Sequence, residues 1–392
     1  MSHLRGFGLY LYATAKGQSG GPLQQLRDLT PYASAITFDK VAQGGMGTLT
    51  CTLVMPFTFL TWLYDQGPAL HVELWDYSLT PAYEGMVFSV ELAPGGSRLS
   101  QSLAEMYSQV SMNYGRNGSY GPPTVPGSPG WISRNRFGRK VTTLSGGIDA
   151  DYTAAVQFTN VYLKEHAQPV ADMSPEIGGR SGQIAMTLTA QGYWNTLGWA
   201  RYAGSVNQQD TGLQMRQILT TFTTGGTNQH GYISTDYSGI PKTNVVTNAG
   251  VTNSQNGQER MIWLMNLGDS NKVRIMGGVG AGRKFRWFSR DTTSPAYSYD
   301  LWENCFHDAG GAIIPKHRIE PGHFVRVRPL WPVNPKFTND PLGTYDVAQD
   351  PYCVFIDRCV YMVDTDTLRP SPTESITMEQ FLRRVIRHRG LG

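Results

Sequence analysis

Residues 44–92 constrain the fold of this chain more than any other segment. They contain the runs TLTCTLV, HVELW and EGMVFSVEL, in which apolar and polar side chains alternate and which Gly and Pro residues separate. A period of two places successive side chains on opposite faces of a strand. We therefore predict a small antiparallel β unit, barrel-like, whose strands bury one face and expose the other to water.

The composition is typical of a folded, β-rich protein. Of the 392 residues, 40% are hydrophobic and 11% aromatic, only 16% are charged, and 44 are Gly. This length allows two to four domains with full cores. The net charge of +3 is too small to indicate nucleic-acid binding by itself. No apolar run approaches the roughly 20 residues that cross a bilayer, so we expect a soluble protein made in a cytoplasm.

Alternation and turn residues predict the other elements. We expect strands at 5–15, 33–40, 48–55, 70–76, 82–92 and 98–112, a short helix within 57–64, and a hairpin that pairs 72–75 with 83–87. A second strand-rich stretch covers 139–192. Helical spacing predicts helices at 209–223, 256–267 and 376–388. Further strands are expected at 273–276, 284–288, 322–330 and 352–363.

Together these elements predict a mainly β fold with an α+β middle: two small β-barrel-like domains, a mixed helical region and a C-terminal helix. The predicted segments are 1–112, an N-terminal β-barrel-like domain; 113–138, a Gly/Pro-rich loop; 139–205, a β-rich part that completes or inserts into the first domain; 206–270, a mixed helical domain; 271–370, a second β-barrel-like domain; and 371–392, a basic C-terminal helix or tail.

Motifs for cofactor or metal chemistry are weak. The Gly-rich run at 277–284 lacks the Ser or Thr after Lys, and the following helix, that a phosphate-binding loop requires. The spacing of His307, His317 and His323, with Cys305 and Asp308 nearby, fits no zinc template and leaves metal binding by these histidines open. We predict no catalytic, cofactor-binding or metal-binding residues, and no cofactor.

Acidic residues leave one enzymatic alternative. Asp76, Glu84 and Glu91 lie in one β unit, and glycoside hydrolases use a pair of carboxylates. Solvent-facing charges on strands explain the same three residues equally well. We predict that the chain is not an enzyme.

The basic C-terminal segment is the candidate interface. It carries Arg383, Arg384, Arg387 and Arg389 on an amphipathic predicted helix. Arginines near a helix C-terminus complement the helix dipole, which is the simpler interpretation. Contact with an acidic partner, or with passing DNA, is the alternative.

Several motifs resemble those of phage tail hub proteins, the baseplate hub and the N-terminal part of tail-associated proteins at the tail tip. The similar motifs are G-x-L-T-C-T-L-V-M-P at 47–56, V-E-L-W-D at 72–76, Y-E-G-M-V-F-S-V-E-L at 83–92 and T-L-T-A-Q-G-Y-W-N-T-L at 187–197. The order of β, mixed and β segments and the total length are also similar to those of a minimal hub.

The resemblance implies a structural virion protein at the tail tip, assembled in the host cytoplasm. Hub subunits form trimers, and the two β-barrel domains of each subunit together make one six-fold-like ring. The implied partners are a tail tube or distal tail protein on one side and a tip, spike or fibre protein on the other. The lumen would pass the tape measure protein and then DNA. A hexameric distal tail or tube-related protein, and a tail enzyme that degrades or binds cell-surface glycans, remain the alternatives.

Overall fold

The structure is a computed structural model that describes residues 6–13, 24–41, 45–79, 81–93, 97–175, 184–192, 199, 297–308, 310–319, 321, 324–328 and 353–372. The helices predicted at 209–223, 256–267 and 376–388, and the strands predicted at 273–276 and 284–288, lie outside these residues. The described part is mainly β, with largely antiparallel sheets and three α-helices, which confirms the predicted mainly β class.

Eighteen strands and three helices make up this part of the chain. The strands are β1 Gly8–Tyr12, β2 Gln25–Asp28, β3 Ala33–Val41, β4 Gly45–Leu53, β5 His71–Trp75, β6 Pro81–Ala93, β7 Ser97–Ser102, β8 Gln109–Tyr114, β9 Gly118–Tyr120, β10 Val141–Ser145, β11 Val170–Pro175, β12 Ala185–Gln191, β13 Tyr297–Asp300, β14 Cys305–Asp308, β15 Ile313–Ile314, β16 Phe324–Arg328, β17 Cys353–Met362 and β18 Thr367–Pro372. The helices are α1 Phe57–Gln66, α2 Pro129–Phe137 and α3 Tyr152–His166.

The β unit predicted at residues 44–92 is present as β4, α1, β5 and β6. The expected hairpin is confirmed, because β5 pairs antiparallel with β6 and Val72 lies opposite Gly85. Close approach of strands explains this glycine: a β-carbon at Gly85 would lie 2.6 Å from the carbonyl oxygen of Gln191. The helix predicted at 57–64 extends two residues further, to Gln66.

One large sheet of 15 strands contains β4, β5 and β6. Its main path runs β15-β14-β13-β16-β17-β3-β4-β12-β6-β5-β1-β2, with β18 beside β17, β7 beside β6 and β11 beside β7. A smaller sheet has the order β10-β8-β9. Only the pairs β13–β16 and β8–β10 are parallel among the described strands. Neither sheet closes into a barrel within the described residues.

Two predictions of local structure are wrong, and a stretch predicted to be strand-rich also contains a helix. Residues 98–112 are two strands, since β7 ends at Ser102 and a turn precedes β8. The stretch predicted as a Gly/Pro-rich loop at 113–138 contains β9 and α2. Proline at the start of α2 needs no helical N–H partner, and the Ser128 side chain accepts a hydrogen bond from Trp131 N. The strand-rich stretch at 139–192 contains the 15-residue helix α3, which Asp151 caps.

The larger cluster of buried side chains lies among the strands between residues 8 and 93 and their neighbour β12. Fully buried side chains from β1, β4 and β6 include Leu9, Leu49 and Val90, and Tyr361 of β17 belongs to the same cluster. A smaller cluster around Phe306 lies among the strands β14 to β17. No described helix is long and apolar enough to cross a bilayer.

Candidate functional site

The four arginines of the candidate interface, Arg383, Arg384, Arg387 and Arg389, lie outside the described residues, as do His323 and the Gly-rich run at 277–284. Within the described residues, the structure brings together ionisable side chains from distant parts of the chain. They form two groups: buried carboxylates of β3 and of the residue after β5, with their partners on β17 and on the turn at 316–318, and a Glu–Cys–His cluster around β14.

Asp76, which follows β5, is the centre of the first group. Its Oδ2 accepts hydrogen bonds from His317 Nε2 at 2.9 Å and from Arg318 Nη2 at 2.7 Å. Asp76 and His317 are only 2% and 3% exposed. A 3-10 turn at Lys316–Arg318 presents both donors to the same carboxylate, 241 residues away along the chain from the histidine. A buried carboxylate is stabilised only when such partners satisfy it.

The imidazole of His317 is enclosed by aromatic rings. The ring centres of Phe7 and Tyr361 lie 5.0 Å and 5.7 Å from it. Burial lowers the pKa of His317, an effect that Asp76 opposes and that Lys40 and Arg318 reinforce. The neutral imidazole, which donates its Nε2–H to Asp76, is therefore the form that the folded protein favours.

A second ion pair joins the neighbouring strands β3 and β17, with a buried carboxylate and a guanidinium side chain that is 53% exposed. Asp39 Oδ2 accepts a hydrogen bond from Arg358 Nε at 2.7 Å, while its Oδ1 accepts from the backbone N–H of Thr48. Lys40, the next residue of β3, donates to the carbonyl oxygen of His317 at 2.9 Å. We call the set Asp39, Asp76, His317, Arg318 and Arg358 the charged seam. It attaches the turn at 316–318 and β17 to the strands between residues 8 and 93.

The carboxylates proposed for a glycan hydrolase have separate partners. Asp76 is held by the charged seam, and its Oδ1 accepts from Ser78 N at 2.8 Å. Glu91 pairs with Arg98 of the adjacent strand β7, and Glu84 is buried in β6. A glycosidase needs two carboxyl groups that face one substrate across a cleft. Asp76 and Glu91 instead bind different cations.

Two cavities lie among the strands after residue 297, and one of them is lined in part by His317 of the charged seam. One of about 430 Å³ is lined largely by apolar side chains, among them Phe306, Val325 and Ile356. The other, about 380 Å³, is lined by residues that include Cys305 and His317. Lys316 and Asp366, whose charged atoms are 3.6 Å apart, line both cavities. These volumes lie in the range of small-molecule sites.

The second ionisable group consists of Glu303, Cys305 and His307. Their potential ligand atoms all lie within 4.8 Å of one another. His307 belongs to this cluster, whereas the imidazole of His317 is hydrogen-bonded to Asp76. The sequence analysis does not identify Glu303 as a candidate ligand. Its position, two residues before Cys305 and four before His307, is the pattern that could have indicated it.

Exposed backbone edges and apolar side chains mark the outer surface. Among the described strands, β11 pairs only with β7, and β2 only with β1. Residues 171–174 of β11 are exposed, including Met173 at 64%. An edge strand presents unpaired N–H and C=O groups to which another strand can add.

No protein-family model matches the chain, and no curated protein sequence matches it significantly. The resemblance to phage tail hubs therefore rests on the motifs of residues 47–92 and 187–197, on the order of β and mixed segments, and on the chain length.

Proposed function

We propose that this chain is a structural virion protein of a tailed phage, a trimeric tail hub at the tail tip, and not an enzyme. The observation that carries the proposal is the pairing of β3 with β17, in which Val360 lies opposite Asp39. Through this pair, strands from the beginning and the end of the described chain extend a single sheet. Lateral pairing of β modules is the kind of contact from which a ring of such modules is built.

The charged seam supports the same proposal. The buried carboxylates of Asp76 and Asp39 hold the two strand sets together, in addition to the backbone hydrogen bonds of the β3–β17 ladder. Asp76 accepts from the neutral imidazole of His317 and pairs with the partly exposed Arg318, and Asp39 pairs with the partly exposed Arg358. Desolvation offsets much of the attraction in such pairs, so we propose that they fix the orientation of the two strand sets. A subunit that lines a tail channel needs its two modules held in one relative orientation.

The proposal assigns the finer architecture as well. Each subunit would contribute two barrel-like modules, so that three subunits form a six-fold-like ring. Edge strands such as β11 and β2 would add to strands of neighbouring subunits. The ring would join the tail tube or distal tail protein to the tip, spike or fibre proteins, and its lumen would pass the tape measure protein and DNA.

The subunit count of the purified full-length chain tests this function. Mass photometry at micromolar concentration should detect particles of three 43.3 kDa subunits, and electron cryomicroscopy should resolve a three-fold ring. A six-fold ring would favour the hexameric distal tail or tube-related protein instead. The proposal would be contradicted if the protein stays monomeric in solution and no trimer of it is found in assembled tails.

A further inference from the structure

The Glu–Cys–His cluster around β14 has the donor set of a transition-metal site. Cys305 Sγ lies 3.2 Å from His307 Nε2 and 3.4 Å from Glu303 Oε2, and the carboxylate oxygen lies 3.8 Å from the imidazole nitrogen. One sulfur, one nitrogen and one oxygen therefore meet at a single point of the surface.

These separations are close to those around a tetrahedral zinc ion. Zinc–sulfur bonds of about 2.3 Å, and zinc–nitrogen and zinc–oxygen bonds of about 2.1 Å, place tetrahedral ligands about 3.4–3.6 Å apart. The three observed distances lie within about 0.4 Å of that range. Only small side-chain movements are needed for the atoms to share one ion.

The orientation of His307 fits a ligand role. Its Nδ1 lies 3.1 Å from the carbonyl oxygen of Gly311, an acceptor, so Nδ1 carries the proton and donates it. Nε2 then presents its lone pair towards Cys305 Sγ. Metal-binding histidines are commonly held in this way, with the second ring nitrogen donating to a backbone carbonyl.

The backbone around the cluster is also well fixed. Asp300, the last residue of β13, accepts hydrogen bonds from Trp302 N and Glu303 N, which holds the turn that carries Glu303. Cys305 and His307 are two apart on β14, so their side chains share one face of the strand. The side chain of His307 is 18% exposed and that of Glu303 65% exposed, which leaves the site open to solvent.

We propose that Glu303, Cys305 and His307 bind a zinc ion, with water as the fourth ligand. The sulfur and imidazole donors favour zinc over magnesium or calcium, which take oxygen ligands. Without metal, the Cys305 thiol donates its proton to Glu303. On binding, a zinc–sulfur bond replaces the sulfur–hydrogen bond, and the proton passes to bulk water. The ion ties β14 to the turn before it, because its ligands come from both.

Metal titration of the full-length protein tests the site. After dialysis against a chelator, the protein should bind one equivalent of Zn²⁺ in a competition assay with a chromophoric chelator. One equivalent of Co²⁺ should produce a thiolate-to-cobalt charge-transfer band and the visible bands of a tetrahedral ion. Zn²⁺ should also slow the alkylation of Cys305, and peptide mass spectrometry measures the rate of that alkylation.

Variants locate the binding. Cys305→Ser and His307→Gln should each weaken binding by more than the roughly 10–100-fold that the loss of an outer partner costs. Asp308→Asn is the matched control, because Asp308 accepts from Ala312 N and lies outside the cluster; its affinity should stay unchanged. If one variant fails to fold, the other variant and the alkylation of the unaltered chain still decide the outcome.

Three results would overturn the proposal. The first is wild-type protein that binds less than half an equivalent of Zn²⁺ and gives no charge-transfer band with Co²⁺. The second is a folded Cys305→Ser variant with wild-type affinity, which would assign the metal to another residue. The third is alkylation of Cys305 at the same rate with and without Zn²⁺.

Discussion

At the scale of single residues, Asp76 and Glu91 are two acidic side chains from the same β unit with very different surroundings. The side chain of Asp76 is 1% exposed and that of Glu91 is 29% exposed, while their arginine partners Arg318 and Arg98 are 39% and 60% exposed. Removing Asp76 leaves the buried imidazole N–H of His317 without its acceptor, whereas surface ion pairs contribute little. The sequence gives no reason to expect different surroundings for the two carboxylates. The difference becomes visible in the tertiary structure.

We therefore expect Asp76→Ala to lower the free energy of unfolding by about 1–3 kcal/mol, because the buried Nε2–H of His317 loses its acceptor. Glu91→Ala, the control, should change it by no more than about 1 kcal/mol. Urea denaturation followed by circular dichroism measures both values. An Asp76→Ala variant as stable as the control would contradict a structural role, and loss of glycan hydrolysis without loss of stability would favour the enzymatic alternative.

At the scale of elements, the sequence predicts strands best where one face is buried and the other exposed. β4 and β5 alternate in this way, whereas residues 82–87 of β6 are buried on both faces. The bounds of all three strands are predicted to within a few residues. Helix α3 was missed although Ala155, Thr159 and Leu163 are buried at a spacing of four and Asp151 caps the first turn. Its exposed face carries Phe158 and other apolar side chains, which hides the amphipathic pattern.

The buried imidazole of His317 leads to the prediction that the attachment of the later strands depends on pH. Burial lowers the pKa of His317 in the folded protein below its unfolded value of about 6.5. Between these two values, the unfolded chain binds more protons than the folded chain, so stability falls as the pH is lowered. The charged groups that face the imidazole are Asp76, Arg318 and Lys40, and the two cations add to the cost of its protonation.

We expect amides of β17 and of residues 316–319 to lose protection from hydrogen exchange between about pH 7.5 and about pH 5.5. His317→Gln keeps an N–H donor for Asp76 and cannot be charged in this range, so it is the matched control. Comparing both proteins at each pH cancels the intrinsic pH dependence of exchange. Equal loss of protection in both proteins would show that another group is responsible.

At the scale of the whole molecule, the pairing of β3 with β17 is the feature that is hardest to predict from the sequence. Asp39 and Arg358 are 319 residues apart, and both strands alternate well enough to pair with many others. The predicted division into modules at 1–112 and 271–370 remains a prediction, but strands from both segments lie in one sheet. A single sequence predicts strands and their buried faces, whereas their order depends on contacts between distant residues.

The free edge of β11 leads to a prediction about assembly. Residues 170–175 pair with β7 on one side, and among the described strands β11 has no neighbour on the other. If this edge joins subunits, a charged side chain there should oppose the addition of a second strand, as lysines do on the edges of monomeric β proteins. Met173 is the suitable position because it is exposed and apolar, so its replacement disturbs no buried contact of the subunit.

We expect Met173→Lys to shift the trimer towards monomer in mass photometry. Its subunit should keep a free energy of unfolding within about 0.5 kcal/mol of the unaltered protein, as is usual for surface substitutions. Val125→Lys is the control: Val125 is also exposed and apolar, at 51%, but lies in a loop between β9 and α2. It adds the same charge away from any strand edge, so its trimer should persist. Dissociation by both variants would attribute the effect to net charge, and a trimer unaffected by Met173→Lys would place the subunit contact at another edge.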